Sequence, residues 1–130
     1  MKRIFSAVLV FAMLLSLCGC GRTSLGKNAA VTLTFIYLDE DIRVTLHEDE
    51  AKRVKDILDG KIYDPFGGIP SCGFDKDISL KVGNRVFAIA RDTCGCVQDL
   101  GNLRFFSLSQ EDIDYIHALF EKYGGRFPCI

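Results

Sequence analysis

The most reactive side chains in the second half of the chain are the thiols of four cysteines: Cys72, Cys94, Cys96 and Cys129. Thiolates are nucleophiles and metal ligands, so such a set indicates disulfide bonds, a metal site or a redox pair. Structural zinc sites usually contain Cys-x-x-Cys pairs, whereas this chain has one Cys-x-Cys and two single cysteines. We therefore predict that all four form disulfide bonds, as an even number does in small exported domains, and that there is no metal site.

The spacing of Cys94 and Cys96 limits how the four cysteines can pair. A bond between these two would close a small, strained ring, so each is expected to pair elsewhere. Two connectivities remain: 72–94 with 96–129, which we favour, and 72–96 with 94–129. A redox-active Cys94–Cys96 pair is the alternative, although thiol oxidoreductases usually place Cys-x-x-Cys at a helix N-terminus and a strand is predicted here.

No other group of residues forms a recognisable catalytic motif. His47 and His117 are the only histidines. His47 falls where the first predicted helix begins and His117 at the edge of the apolar stripe of the second, so each is expected to be a surface or boundary residue and not a catalyst. The sequence lacks the Gly-x-Ser-x-Gly and His-Glu-x-x-His motifs and a glycine-rich phosphate loop. We therefore expect no catalytic residue, no cofactor and a non-enzymatic role. The acidic run Asp39 to Asp41 is expected to be a solvated hairpin turn.

Two periodicities indicate the elements that position the cysteines. Apolar residues alternate in pairs of short segments, which predicts β-hairpins, and they recur at helical spacing in two others. The predicted hairpins cover 31–46, 78–89 with a turn at Gly83-Asn84, and 97–108 around Gly101-Asn102, and the predicted helices cover 48–59 and 110–123. This pattern predicts an α+β fold, an antiparallel sheet with two helices packed on one face.

The two halves of the chain repeat one pattern at an offset of 62 residues. Leu46 and the acidic start of the first helix correspond to Leu108 and the start of the second. A duplication of a hairpin-plus-helix unit explains this correspondence, and so do the ordinary requirements of any junction between a strand and a helix.

A long segment from Lys61 to Lys76 is too rich in Gly and Pro for regular structure, and Cys72 is expected to fix it. Its apolar residues Phe66 and Ile69 either fold beneath the loop against the core or form a small hydrophobic patch. In the second case, these two residues are candidates for a binding loop.

The N-terminus has the order of a secretory signal. Lys2 and Arg3 precede an apolar run that ends at Leu17, shorter than the roughly 18 apolar residues of a spanning helix. The following Leu17-Cys18-Gly19-Cys20 resembles the lipobox of bacterial lipoproteins. This resemblance implies that residues 1–19 are removed, that Cys20 carries diacylglycerol, and that the protein lies on the extracytoplasmic face of the cell membrane.

Removing 19 of 130 residues leaves 111, the size of one domain. We expect 20–30 to be a lipidated N-terminus with a flexible tether and 31–130 to be a single disulfide-stabilised domain. Because Lys2 and Arg3 leave with the signal, 14 basic and 17 acidic side chains remain, a formal net charge of −3. With no basic cluster, nucleic acid is not an expected partner.

The cysteine-containing segments also resemble a group of small lipoproteins of Gram-positive bacteria without an assigned role. The residues are Ser71 to Phe74, Cys94-Gly95-Cys96, and Tyr123 to Cys129. The resemblance implies nothing about activity. We therefore expect a lipid-anchored binding or interaction module for a protein or small-molecule ligand. The alternatives are a thiol redox protein that uses Cys94 and Cys96, and an inhibitor-like domain that blocks an extracellular enzyme.

Overall fold

The computed structural model describes Ile4 and residues 6–10, 21–65 and 72–127. Six strands and two helices follow one another in the order β1, β2, α1, β3, β4, β5, β6, α2. Their bounds are β1 Val31–Tyr37, β2 Glu40–Thr45, α1 Glu48–Leu58, β3 Ser79–Val82, β4 Arg85–Ile89, β5 Cys96–Asp99, β6 Arg104–Ser107 and α2 Gln110–Lys122. Residues 6–10 are also helical. Within the described parts of the chain, no helix is long and apolar enough to cross a membrane.

The strands form one antiparallel sheet in the order β2-β1-β3-β4-β5-β6. Alternation places every second side chain on the same face, so Leu33 of β1 and Leu80 of β3, which are register partners, both point into the core. The turn between β3 and β4 is the predicted one, with Gly83 in the left-handed region at φ 59°. Both outer hairpins are also confirmed.

The two helices cover one face of this sheet. Val54 and Leu58 of α1 and Ile116 and Phe120 of α2 are fully buried in the same cluster as the inward side chains of the strands. Polar contacts join the start of α1 to the end of α2. Lys122 and Tyr123 donate hydrogen bonds to the carboxylate of Glu50. The predicted α+β fold is confirmed.

Different strand ends and turns lie at the two ends of the sheet. At one end, which we call the arm end, β1 begins, β3 turns into β4 and β5 finishes at Asp99. At the other end, the cysteine end, β1 turns into β2 and β5 begins at Cys96. The two ends are therefore separated by the length of the strands.

Residues 21–30, here called the N-terminal arm, differ from the flexible tether that the sequence predicted. Thr23 is buried, and its hydroxyl donates to the carbonyl of Leu58 at 2.6 Å and accepts from the N–H of Lys61 at 2.8 Å. The N–H of Leu25 donates to the carboxylate of Asp59 at 2.9 Å. Because polar groups make these contacts, apolar periodicity could not reveal them.

Each helix follows an outer hairpin in the same way. The residues that precede α1 and α2, His47 and Ser109, have nearly identical backbone angles, with φ −63° for both and ψ 160° and 159°. Ser109 accepts a hydrogen bond from the N–H of Asp112, whereas His47 makes no side-chain cap. The shared geometry satisfies the requirements of a helix start, so it fits a duplication and an independent origin equally well.

Candidate functional site

Three sulfur atoms meet at the cysteine end. The Sγ atoms of Cys72, Cys94 and Cys96 all lie within 4.8 Å of one another. Cys72 and Cys94 form a disulfide bond, which confirms one bond of the favoured connectivity. Cys96 has no disulfide partner within the described ranges, and its Sγ lies 3.8 Å from the Oγ of Ser107. Its predicted partner Cys129 lies outside the described residues.

Local backbone geometry brings Cys94 and Cys96 to this position. Gly95 lies in the left-handed region at φ 73°, a conformation that glycine adopts without strain. Its carbonyl accepts from the N–H of Leu108 at 2.9 Å, and the carbonyl of Cys96 accepts from Ala90 at 3.1 Å. The N–H of Cys94 donates to the carboxylate of Asp92 at 2.9 Å. The Cys-Gly-Cys segment is thus a turn held between β4 and β6.

The third cysteine, Cys72, belongs to the loop before β3, and residues 73 and 74 of this loop contact the sheet. The carbonyl of Gly73 accepts from the N–H of Arg91 at 2.9 Å, which ties the loop to the end of β4. Phe74 packs on Phe105 with ring centroids 5.3 Å apart. Phe105 and Cys96 project from the same face, since both belong to the alternate set of residues on β5 and β6. Cys72 and Cys96 are half-buried and Cys94 is exposed.

The cluster has the donor chemistry of a thiophilic metal site, since thiolates are soft ligands. Two of its three sulfur atoms are joined in a disulfide, however, and a disulfide sulfur is not a thiolate. The chemistry that this arrangement allows directly is attack of the remaining thiolate on the disulfide.

The hairpin turn between β1 and β2 lies at the same end and exposes apolar side chains. Leu38 is 79% exposed, and Ile36 and Tyr37 are 44% and 40% exposed. Both turn residues, Leu38 and Asp39, have positive φ, 48° and 66°. The carboxylates of 39–41 are exposed, as expected of a solvated turn.

Beside this turn lies a groove of about 370 Å³. It is lined by Phe35, Tyr37, Asp75, Arg91, Arg126 and Phe127. Asp75 belongs to the loop that Cys72 fixes, so the loop and the hairpin turn share one surface. The predicted binding residues Phe66 and Ile69 lie outside the described residues, as does the predicted lipid attachment residue Cys20.

His117 packs close to this groove. Its ring stacks on Phe127 with centroids 4.0 Å apart, and its buried Nε2 makes no hydrogen bond to the parts of the chain described. Burial lowers the pKa of His117, although the carboxylates of Asp114, Glu121 and Asp92 act in the opposite direction. The stacking of His117 on Phe127 is a packing role, in agreement with the expectation that His117 lies at the edge of the apolar stripe of its helix.

Asp99 is the only buried charged residue in the part of the chain that the structure describes, and no sequence pattern singled it out. Its carboxylate is fully buried and accepts hydrogen bonds from the hydroxyl of Tyr63 at 2.6 Å, from Arg85 and from the N–H of Gly101 at 2.9 Å. Although burial raises the pKa of Asp99, the hydrogen bonds from Tyr63 and Arg85 outweigh it and hold the pKa below its usual value. Burial also raises the pKa of Tyr63, as does its bond to Asp99. This network lies at the arm end, away from the sulfur atoms.

The cysteine end therefore combines a disulfide, an adjacent thiol, an exposed apolar turn and a small groove. The arm end combines the N-terminal arm with the buried network of Asp99. A scan against protein-family models finds no match for the chain, and searches of curated proteins and of solved structures find none either.

Proposed function

We propose that this protein is an extracytoplasmic lipoprotein, anchored through Cys20, that binds another exported protein through its cysteine end. The observation that carries the proposal is the placement of the N-terminal arm and the exposed apolar turn at opposite ends of the sheet.

The first step concerns the anchor. Gly21 directly follows Cys20, and its carbonyl accepts a hydrogen bond from the N–H of Tyr63 at 2.9 Å. Acyl chains on Cys20 would therefore hold the arm end next to the membrane. Two further exposed apolar side chains, Ile62 at 63% and Leu103 at 66%, lie at this end, where the lipid surface would be within reach. The cysteine end would then point away from the membrane.

The second step concerns recognition. Turns with positive φ at both central residues are usually Asn-Gly or similar, and an L-residue in this conformation costs ~1–2 kcal/mol. Leu38 therefore does not stabilise the turn locally, and its side chain is not buried in the domain. Burial of Leu38 and Tyr37 against a partner would contribute about 1 to 3 kcal/mol each. The partner that fits is a protein with an apolar depression.

The same proposal includes the loop that contains Phe66 and Ile69. Its end is fixed by the bond between Cys72 and Cys94, and Asp75 lines the groove together with Tyr37. A loop restrained in this way loses less conformational entropy on binding. We propose that the loop and the turn form one recognition surface.

The chain offers a matched pair of leucines for the test. Leu38 and Leu103 are both exposed, and both have left-handed backbone, with φ 48° and 58°, but they lie at opposite ends of the sheet. A photo-crosslinking amino acid is placed at either position in the anchored protein on intact cells, and the crosslinked proteins are compared. We expect a discrete protein adduct from position 38 only, and we expect Leu38→Asn to reduce recovery of that partner at least tenfold.

Equal adducts from both positions, or unchanged recovery with Leu38→Asn, would remove the turn from the proposal. The double variant Phe66→Ala with Ile69→Ala tests the loop separately. If it is folded and recovers the partner as well as the wild type does, the loop is not part of the surface.

A further inference from the structure

We infer that Cys72 exchanges its disulfide partner between Cys94 and Cys96, which makes the cysteine end a thiol–disulfide exchange site for disulfides of other exported proteins. In the first step the thiolate of Cys96 attacks the Sγ of Cys72. The Cys72–Cys96 bond forms, the Cys72–Cys94 bond breaks, and the electron pair leaves on the thiolate of Cys94. The step is redox-neutral and requires no further reactant.

The geometry places the attacking atom beside its target. All three Sγ atoms lie within 4.8 Å of one another, so exchange requires side-chain rotation and small backbone movements rather than a change of fold. Thiol–disulfide exchange proceeds by this direct attack of a thiolate on a disulfide sulfur. The arrangement differs from the Cys94–Cys96 redox pair considered from the sequence, because the shared sulfur is that of Cys72.

Ring strain selects which sulfur is attacked. Attack on Cys94 would close the small ring between Cys94 and Cys96, which is unfavourable. Attack on Cys72 replaces a bond with a sequence separation of 22 residues by one only two residues longer. Loop-closure entropy changes slowly with length, so the two isomers are expected to have similar free energies.

The exchange changes which thiol is accessible. Before it, the thiol belongs to half-buried Cys96, near the hydroxyl of Ser107; afterwards it belongs to exposed Cys94. The thiolate of Cys94 can then attack a disulfide of a second exported protein. A mixed disulfide with Cys94 forms, and one sulfur of the substrate leaves as a thiolate. Another thiolate of the substrate then attacks the mixed disulfide, a new substrate disulfide forms, and the thiolate of Cys94 is released. The substrate class is therefore protein disulfides, and the net reaction is their rearrangement.

The test uses the full wild-type chain, purified without reductant and incubated at about pH 8, near the ordinary pKa of a cysteine thiol. Exchange is stopped with acid at successive times, free thiols are alkylated, and tandem mass spectrometry locates the alkyl group. We expect alkylation of Cys96 at early times and of Cys94 to a similar extent at equilibrium, with Cys72 always in a disulfide. The Cys96→Ser variant should keep the Cys72–Cys94 bond and lose alkylation of Cys94.

Two results would overturn the inference. Recovery of a peptide in which Cys96 is joined to Cys129 would show that no attacking thiol exists. Alkylation confined to Cys96 at all times would show that the thiol does not attack. Both results leave binding through Leu38 unaffected, because the crosslinking experiment does not depend on a free thiol. A model protein with a scrambled disulfide then tests the second step, since Cys94→Ser should abolish any rearrangement that the wild type catalyses.

Discussion

The hydroxyl of Tyr63 donates a 2.6 Å hydrogen bond to the fully buried carboxylate of Asp99. This bond connects the segment after α1 to the end of β5, and Arg85 completes the network from β4. Because the N–H of Tyr63 also donates to Gly21, the same residue connects the N-terminal arm to the sheet. The position of the arm therefore depends on a polar network inside the domain.

Asp99→Ala is expected to destabilise the domain by about 2 kcal/mol, since it leaves Tyr63 and Arg85 without their acceptor. Tyr63→Phe removes one hydrogen bond and should cost about 1 kcal/mol. Urea denaturation followed by circular dichroism measures both values. If Asp99→Ala is no less stable than Tyr63→Phe, the network does not contribute as described.

The depressed pKa of Asp99 also predicts an acid dependence of stability. Above a pH of about 4, the pKa of this carboxylate in the unfolded chain, its contribution to the free energy of unfolding is fully present. The contribution is lost as the pH falls through the lower pKa of the folded protein, because the unfolded chain binds the proton first. The free energy of unfolding should therefore decrease as the pH is lowered below about 4. In Asp99→Asn, this part of the decrease should be absent. An identical acid slope in both proteins would contradict the assignment.

Thr23→Val tests whether the N-terminal arm is bound to the domain. The substitution preserves shape but removes the donor to Leu58 and the acceptor for Lys61 in a buried position, which should cost about 1–3 kcal/mol. The neighbouring Ser24 is exposed, so Ser24→Ala serves as the control with no expected change. Equal stabilities of the two variants would indicate a flexible tether.

Gly95→Ala should interfere with formation of the Cys72–Cys94 bond. The new Cβ would lie 3.5 Å from the carbonyl oxygen of Leu108, in a left-handed conformation that strains alanine. Gly60 has a similar φ of 65° but open space around it, so Gly60→Ala carries the same backbone strain away from the sulfur atoms. Oxidative refolding with quantification of the disulfide should show a lower yield for Gly95→Ala only. Equal yields would show that the conformation of Gly95 does not position the sulfur atoms.

Cys20→Ala tests the lipid anchor. We expect the variant to retain residues 1–19 and to lack acyl chains, because the processing that the lipobox resemblance implies begins at this cysteine. Intact-mass analysis of the wild type should give a chain that begins at acylated Cys20. An unmodified N-terminus at any other residue would exclude the anchor, and with it the orientation proposed for the cysteine end.

Local sequence determined the elements of this fold. The alternation around Leu33 and the helical spacing of Val54 and Leu58 predict β1 and α1, because each periodicity fits only one regular backbone with a single apolar face. The turn at Gly83-Asn84 was predicted for the same local reason. In the sequence, Asp99 is one more polar residue beside the Gly101-Asn102 turn, and only its position in the sheet shows that it is buried.

The relationships on which the proposed function depends follow only from the tertiary structure. Cys72 and Cys96 are separated by a loop, two strands and a turn, so their proximity follows from strand order and from the contacts of Gly73 and Phe74 with the sheet. The arm is held by Thr23 and by backbone groups, and such hydrogen bonds leave no periodic pattern in the sequence. Contacts between distant residues depend on the whole fold, whereas helix, strand and turn preferences depend on a few neighbouring side chains.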